Sequence, residues 1–204
     1  FMMGIIETFK AGGSVMYILL ICSICVASIM IERIMFYKRA GKNIDAFVSK
    51  LPEIMQGKDF NDLLLEVKEE NNIAAMIVEE GIQAAIKGQN TTVAIDTAYS
   101  VGAESLRARL SYLSMIVTLA PLLGLLGTIA GMISSFNVFS LQAGQPLAIT
   151  GGIGEALIAT ATGLCVAIFA LVVHTWFAAQ VDHLLTVMER ACSHVEAEIK
   201  QRGL

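Results

Sequence analysis

One acid stands alone in the most apolar part of this chain. Glu155 is the only formal charge in the 72 residues between Arg109 and Asp182. An ionised carboxylate facing lipid costs at least a few kcal/mol, so an acid at membrane depth ordinarily faces protein or a wet cavity. Burial moves a carboxyl group toward proton uptake and release near neutral pH, whereas a neighbouring cation would oppose this. No Lys or Arg of this chain lies at that depth, so Glu155 is a candidate proton carrier whose charged partner must come from another polypeptide. Hydroxyls occur on the same stretches: Thr128 and Thr160 first, with Ser134, Ser135 and Thr162 as further candidates for lining a polar path. Two plainer readings stand beside this one. Glu155 can reach headgroups as an interfacial residue, and each hydroxyl can bond its own helix carbonyl. A carboxylate among hydroxyls also suits sodium as well as a proton.

The elements that must hold these residues are legible as apolar runs. Crossing a ~30 Å hydrocarbon core takes ~20 helical residues. Val15 to Ile31 contains no charge and ends at Glu32 and Arg33. Two further spans fit about Tyr112 to Phe139 and Ile149 to Phe177, joined by a turn at Gln142 to Pro146. Counting equally from that turn places Thr160 level with about Thr128, and Glu155 level with about Ser134. Small residues recur on both helices: Gly124, Gly127 and Gly131 on one, and Gly152, Ala156, Ala159 and Gly163 on the other. They permit close helix contact, and Pro121 permits a bend. Three spans enclose a polar lumen poorly, so a ring of copies is expected, with the second and third spans inward and the first toward lipid.

Basic residues set the expected orientation. Arg33, Lys38, Arg39 and Lys42 follow the first span, Arg107 and Arg109 precede the second, and Arg190, Lys200 and Arg202 follow the third. By the positive-inside rule the N-terminus lies outside and the C-terminus inside. The fold class is therefore an all-α integral membrane protein with three transmembrane helices, N-out and C-in. Its parts are an N-terminal segment with the first span (1–39), a helical cytoplasmic insert (40–108), the hairpin (109–177) and a cytoplasmic C-terminal helix (178–204). In the insert, Phe60, Leu63, Leu64 and Val67, then Ile73, Met76, Ile77 and Ile82, recur at helical steps. A helix beginning near Thr91 is expected to run unbroken through Arg109 into the second span, and the third to continue to about Lys200.

Composition excludes other classes. With 55% hydrophobic and 16% charged residues and a net charge of -4, neither a solvated globular surface nor a nucleic-acid-binding one is supported. Cys22 and Cys25 lack a second pair for a metal site and sit among Ile, Val and Leu, where thiols act as small hydrophobes. His174, His183 and His194 do not all fall on one helix face, and Trp176 and Phe177 read as interface anchors. No catalytic site and no cofactor is expected.

The segments Ala120-Pro121-Leu122-Leu123-Gly124-Leu125-Leu126-Gly127-Thr128 and Gly152-Ile153-Gly154-Glu155-Ala156-Leu157-Ile158-Ala159-Thr160-Ala161-Thr162-Gly163-Leu164 resemble the ExbB/TolQ/MotA family of proton-channel proteins, most closely ExbB. The resemblance covers most of the chain and includes Glu32-Arg33. It implies a homopentamer in the bacterial inner membrane around the helices of an ExbD-like dimer. In such a ring Glu155, Thr128 and Thr160 would line the lumen, and proton flow would drive motion delivered to a TonB-like protein for import through outer-membrane receptors. A TolQ-like motor of the Tol-Pal envelope system is the alternative within the family, and a non-conducting membrane scaffold the alternative outside it. Where relatives often carry Pro, this chain has Gly151 and Phe169.

Overall fold

The computed structural model describes residues 12–141 and 146–202, apart from the side chains of 138–141, 146–150 and Glu155. The turn expected at Gln142 to Gln145 lies outside the described residues. Among the described residues seven helices follow in order: α1 Val15–Ala40, α2 Ile44–Met55, α3 Phe60–Glu69, α4 Ile73–Ile86, α5 Thr91–Arg107, α6 Leu110–Leu141 and α7 Pro146–Gln201. Among the described residues the segments Val15–Met55, Thr91–Asn137 and Gly151–Gln201 each hold a stretch long and apolar enough to cross a membrane, as the charge-free runs predict.

The chain divides into two compact units. One takes in the chain up to Ile31 and Arg109–Trp176; the other takes in Glu32–Ala108 and Phe177 onward. The insert and the C-terminal part of α7 thus belong to one body. Both α1 and α7 contribute to each unit, and each carries one buried stripe at three- and four-residue steps. On α7 the stripe runs Ala156, Ala159, Gly163, Ala167 and Ala170, then Phe177, Val181, Leu184, Met188, Val195 and Ile199. Its residues are mostly small before the unit boundary, Val173 apart, and mostly large after it, Ala191 apart. Between helices in lipid, apolar side chains gain little by leaving the solvent, and small residues that let backbones approach are favoured. In water, burying a large apolar side chain contributes about 1.5–3 kcal/mol.

Phe177 corrects an expectation. It is not an interface anchor but is fully buried, with its ring 5.3 Å from that of Tyr37. Its place on the stripe decides this, whereas its neighbour Trp176 is half exposed.

In the charged unit α3, α4 and α5 begin with polar residues that relieve the unbonded N–H groups of a helix start, whereas Asn43 before α2 makes no such side-chain bond. Asp59 accepts from the Asn61 N–H, Asn72 from Ala75 and Asn90 from Val93. The periodicity expected of the insert holds at Leu63, Val67, Ile73, Ile77 and Ile82, all buried, while Met76 lies exposed. Close approach is needed at Gly81 and Gly102. A Cβ there would stand 2.9 Å from Ile95 Cγ1 and 2.8 Å from Met188 Cε, respectively.

The expected unbroken helix through Arg109 does not form. α5 ends at Arg107, Ala108 is extended, and Arg109 takes φ 66°, so α6 starts afresh at Leu110. In a continuous helix the carbonyls of Ser105 and Leu106 would accept from Arg109 and Leu110. Here Arg33 Nη1 donates to Ser105 O at 2.9 Å and Tyr37 Oη to Leu106 O at 2.9 Å. The buried guanidinium, 4% exposed, sits at the negative end of α5, where a cation is favoured. A left-handed non-glycine residue costs roughly 1–2 kcal/mol, which these two buried bonds offset.

Candidate functional site

The apolar unit brings α6 and α7 together along the small residues singled out above. A Cβ on Gly124 would stand 3.1 Å from Thr160 Cα, one on Gly127 would stand 2.6 Å from Ala159 Cβ, and one on Gly131 would stand 3.2 Å from Ala156 Cβ. Gly163 lies so close to α6 that its Cβ would reach 2.6 Å from Ala120 O. Gly152 faces Ser135, and α1 joins the seam at Val15, 3.6 Å from the Gly127 position. Any branched residue at these places forces the backbones apart. Pro121 lies inside α6, which continues through it. Its missing N–H leaves the Val117 carbonyl without its usual helical partner.

These contacts give the register of the two helices. Thr160 lies between the levels of Gly124 and Gly127, since Ala159 meets Gly127 and the Thr160 hydroxyl reaches Gly124 O, and Gly152 meets Ser135 as counting requires. Equal counting assumes two helices leaving the turn in step. The register keeps that step along the seam, Gly163 meeting Gly124 as Gly152 meets Ser135, because glycines let the opposing backbone in.

The hydroxyls take different partners. Thr160 Oγ1 donates across the seam to Gly124 O at 3.1 Å, tying α7 to α6. Thr128 donates to Leu125 O at 2.6 Å, Ser135 to Gly131 O at 2.9 Å and Thr162 to Ile158 O at 2.9 Å, each within its own helix. Each of these oxygens keeps acceptor capacity for water or an acid. Ser135 is buried, Thr128, Thr160 and Thr162 are half-buried, and Ser134 is exposed. Glu155 belongs to α7 between Gly152 and Ala156, both seam residues; its side chain lies outside the described residues.

The faces of the hairpin away from the seam are apolar and open. Leu122, Leu125, Ile129 and Ile133 on α6, and Leu157, Leu164 and Ile168 on α7, are all exposed. Such continuous apolar surface calls for lipid or further protein.

Sequence reasoning missed the pair Arg33 and Tyr37, having used Arg33 as the end of the first span, a marker of orientation and part of the family resemblance. A signal was available. The apolar stripe of α1 runs Val15, Leu19, Cys22 and Val26, and the same period continues to 33 and 37. A charge on a buried stripe needs a partner.

The model of the MotA/TolQ/ExbB proton channel family matches residues 69–190. The chain is 32% identical to an ExbB-like biopolymer transport protein 1 of Synechocystis sp. over 83% of its own length and 68% of that protein's. It is 24% identical to an ExbB homologue of Methanothermobacter thermautotrophicus over 91% and 67%. It is 31% identical to the Tol-Pal system protein TolQ of Pseudomonas aeruginosa over 73% and 60%.

Proposed function

Because this chain belongs to the MotA/TolQ/ExbB proton channel family, we propose that it is the proton-conducting subunit of an inner-membrane motor. In this reading five copies form a ring with the N-terminus outside and the C-terminus in the cytoplasm. Glu155 takes up and releases the proton, and Thr128 and Thr160 help line its path. The ring encloses the helices of an ExbD-like dimer, whose acid supplies the charged partner this chain lacks, and the work reaches a TonB-like protein. No cofactor, nucleotide or catalytic step is involved.

The observation that carries the reading is the hairpin seam. Glycine and alanine lock α6 on α7 immediately beside residue 155, and the Thr160 hydroxyl reaches across it. Residue 155 comes three after Gly152 and four before Ala159, so it stands at the edge of the seam by helical period. The driving force suffices for mechanical work, since one charge crossing ~100 mV is worth about 2.3 kcal/mol. A second reading has specific support: the similarity to TolQ over 73% of the chain favours a Tol-Pal role for the same ring and acid.

Proton uptake by proteoliposomes containing the chain and its ExbD-like partner tests the proposal. Glu155→Gln is expected to abolish flux with assembly intact. Flux equal to that of the unaltered protein would refute the assignment of Glu155, and a wild-type ring that conducts nothing would identify a scaffold. Deletion producing iron-uptake failure, as opposed to envelope leakage, separates the two family readings.

A further inference from the structure

One stripe of the open hairpin surface is not apolar. Ser111, Ser114, Thr118, Pro121, Leu125 and Thr128 follow one another on α6 at steps of three and four, so they share a face. That face is not the seam, whose buried residues on the same helix are Leu113, Ile116, Ala120, Gly124, Gly127 and Gly131. Ser111, Ser114 and Thr118 are exposed, and Thr128 is half-buried. From Ser111 to Thr128 the stripe rises about 25 Å, most of the depth of a hydrocarbon core.

Two observations set it apart from lipid-facing surface. The first is segregation. The hydroxyls of α6 up to Thr128 belong to Ser111, Tyr112, Ser114, Thr118 and Thr128, and all but Tyr112 lie on the stripe. The exposed residues to its side, Met115, Leu119, Leu122 and Leu126, are apolar. Thr118 Oγ1 donates to Met115 O at 2.9 Å, which uses its proton and leaves its lone pairs open. A hydroxyl that only closes a bond within its own helix has no reason to share a face with others, whereas polar groups of a span gather where protein or water receives them.

The second observation lies in the backbone. Pro121 offers no N–H to the Val117 carbonyl. A helical carbonyl points along the axis toward the residue four further on, so this oxygen is aimed at Pro121, on the stripe itself and beside Thr118. An acceptor without its partner at membrane depth is costly, and water or a further chain must meet it there.

The stripe also connects two ends. At one stands Thr128, with the Thr160 hydroxyl reaching Gly124 O a turn below it. At the other stands the first turn of α6, directly after Arg107 and Arg109. We infer that Thr118, Ser114, Ser111 and the Val117 carbonyl form the inner half of the proton path, holding a file of water between Thr128 and the cytoplasm. The proton passes from water to water, each oxygen releasing one as it receives one, and no side chain of the stripe changes charge. The interval from Thr128 to Thr118, about 15 Å, is divided by the Val117 oxygen and is too long for direct transfer between hydroxyls, so water is the carrier. The inference rests on the reading of this chain as the proton-conducting subunit.

Proteoliposomes holding the chain with its ExbD-like partner test it under an imposed pH gradient. Thr118→Val keeps the side-chain volume and removes the hydroxyl. Combined with Ser114→Ala it is expected to lower proton flux about tenfold, as a barrier raised by one lost hydrogen bond would, while Tyr112→Phe, off the stripe, leaves flux unchanged. A second measurement reads water directly. In the same complex with the native cysteines replaced by alanine, Ser114→Cys and Thr118→Cys are expected to react with a charged, membrane-impermeant methanethiosulfonate roughly tenfold faster than Leu119→Cys and Leu126→Cys, because only a solvated thiol forms the reactive thiolate. Wild-type flux that the Thr118→Val, Ser114→Ala pair leaves unaltered, or equal labelling at the four positions, would overturn the inference and spare the assignment of Glu155. A wild-type complex that conducts nothing would overturn the proton-channel reading, and this inference with it.

Discussion

Replacing Tyr37 by Phe isolates one bond at the break between α5 and α6. The ring and its contact with Phe177, 5.3 Å between centroids, are retained, and only the hydroxyl that donates to Leu106 O at 2.9 Å is lost. A typical intramolecular hydrogen bond contributes about 0.5–1.5 kcal/mol net, and a stranded buried acceptor costs about 1–3 kcal/mol. The expected loss is therefore about 1–2 kcal/mol, or a fall in Tm of roughly 2–4 °C for each kcal/mol in a chain of this size. Adding Arg33→Met also removes the charged bond to Ser105 O, worth about 1.5–3 kcal/mol. With both donors gone the carbonyls of Ser105 and Leu106 are free to accept from Arg109 and Leu110, and the helix straightens. Circular dichroism in detergent reads the stability, and hydrogen exchange reads the amides of residues 109 and 110. The double variant is expected to melt lower and yet protect those two amides more. Unchanged melting, or a double variant whose 109–110 amides exchange as fast as before, would refute the account of the break.

Three further outcomes follow from other contacts. Gly163→Val places a branched side chain where even a Cβ would lie 2.6 Å from Ala120 O, and overpacking of about 1–3 kcal/mol should part the hairpin; a disulfide-trapping pair across α6 and α7 that still closes at the wild-type rate would contradict this. Met188→Ala empties a fully buried position beside Gly102 and should cost about 2–5 kcal/mol, measured as a loss of melting temperature far larger than that of exposed Met76→Ala. Burial pushes the Cys192 thiol up to about 11 from 9.0, so about 100-fold less thiolate is present at pH 7.5. Greater intrinsic nucleophilicity recovers part of this, and alkylation of a Cys192-only variant should run roughly tenfold slower than that of an ordinary thiol. Reaction at the ordinary rate would show Cys192 to be solvated.

Much of this molecule was readable before any coordinates, because lipid imposes a simple rule. A chain that crosses a bilayer must bond its own backbone and cover it with apolar side chains, and both demands are local. The three apolar runs, the helical insert, the small-residue positions and the lone acid Glu155 therefore stand in the order of residues itself. So does the family pattern around Thr128 and Thr160. What depends on contacts between distant residues did not. The break at Ala108 and Arg109 carries no Gly or Pro to announce it, and it exists because Arg33 and Tyr37, some 70 residues earlier, supply the donors the helix gives up. The burial of Phe177 beside the exposed Trp176 was likewise settled by packing. Periodicity along one helix tells which residues share a face. Only the neighbouring helix, through the room its own side chains leave, decides what that face meets and at what height.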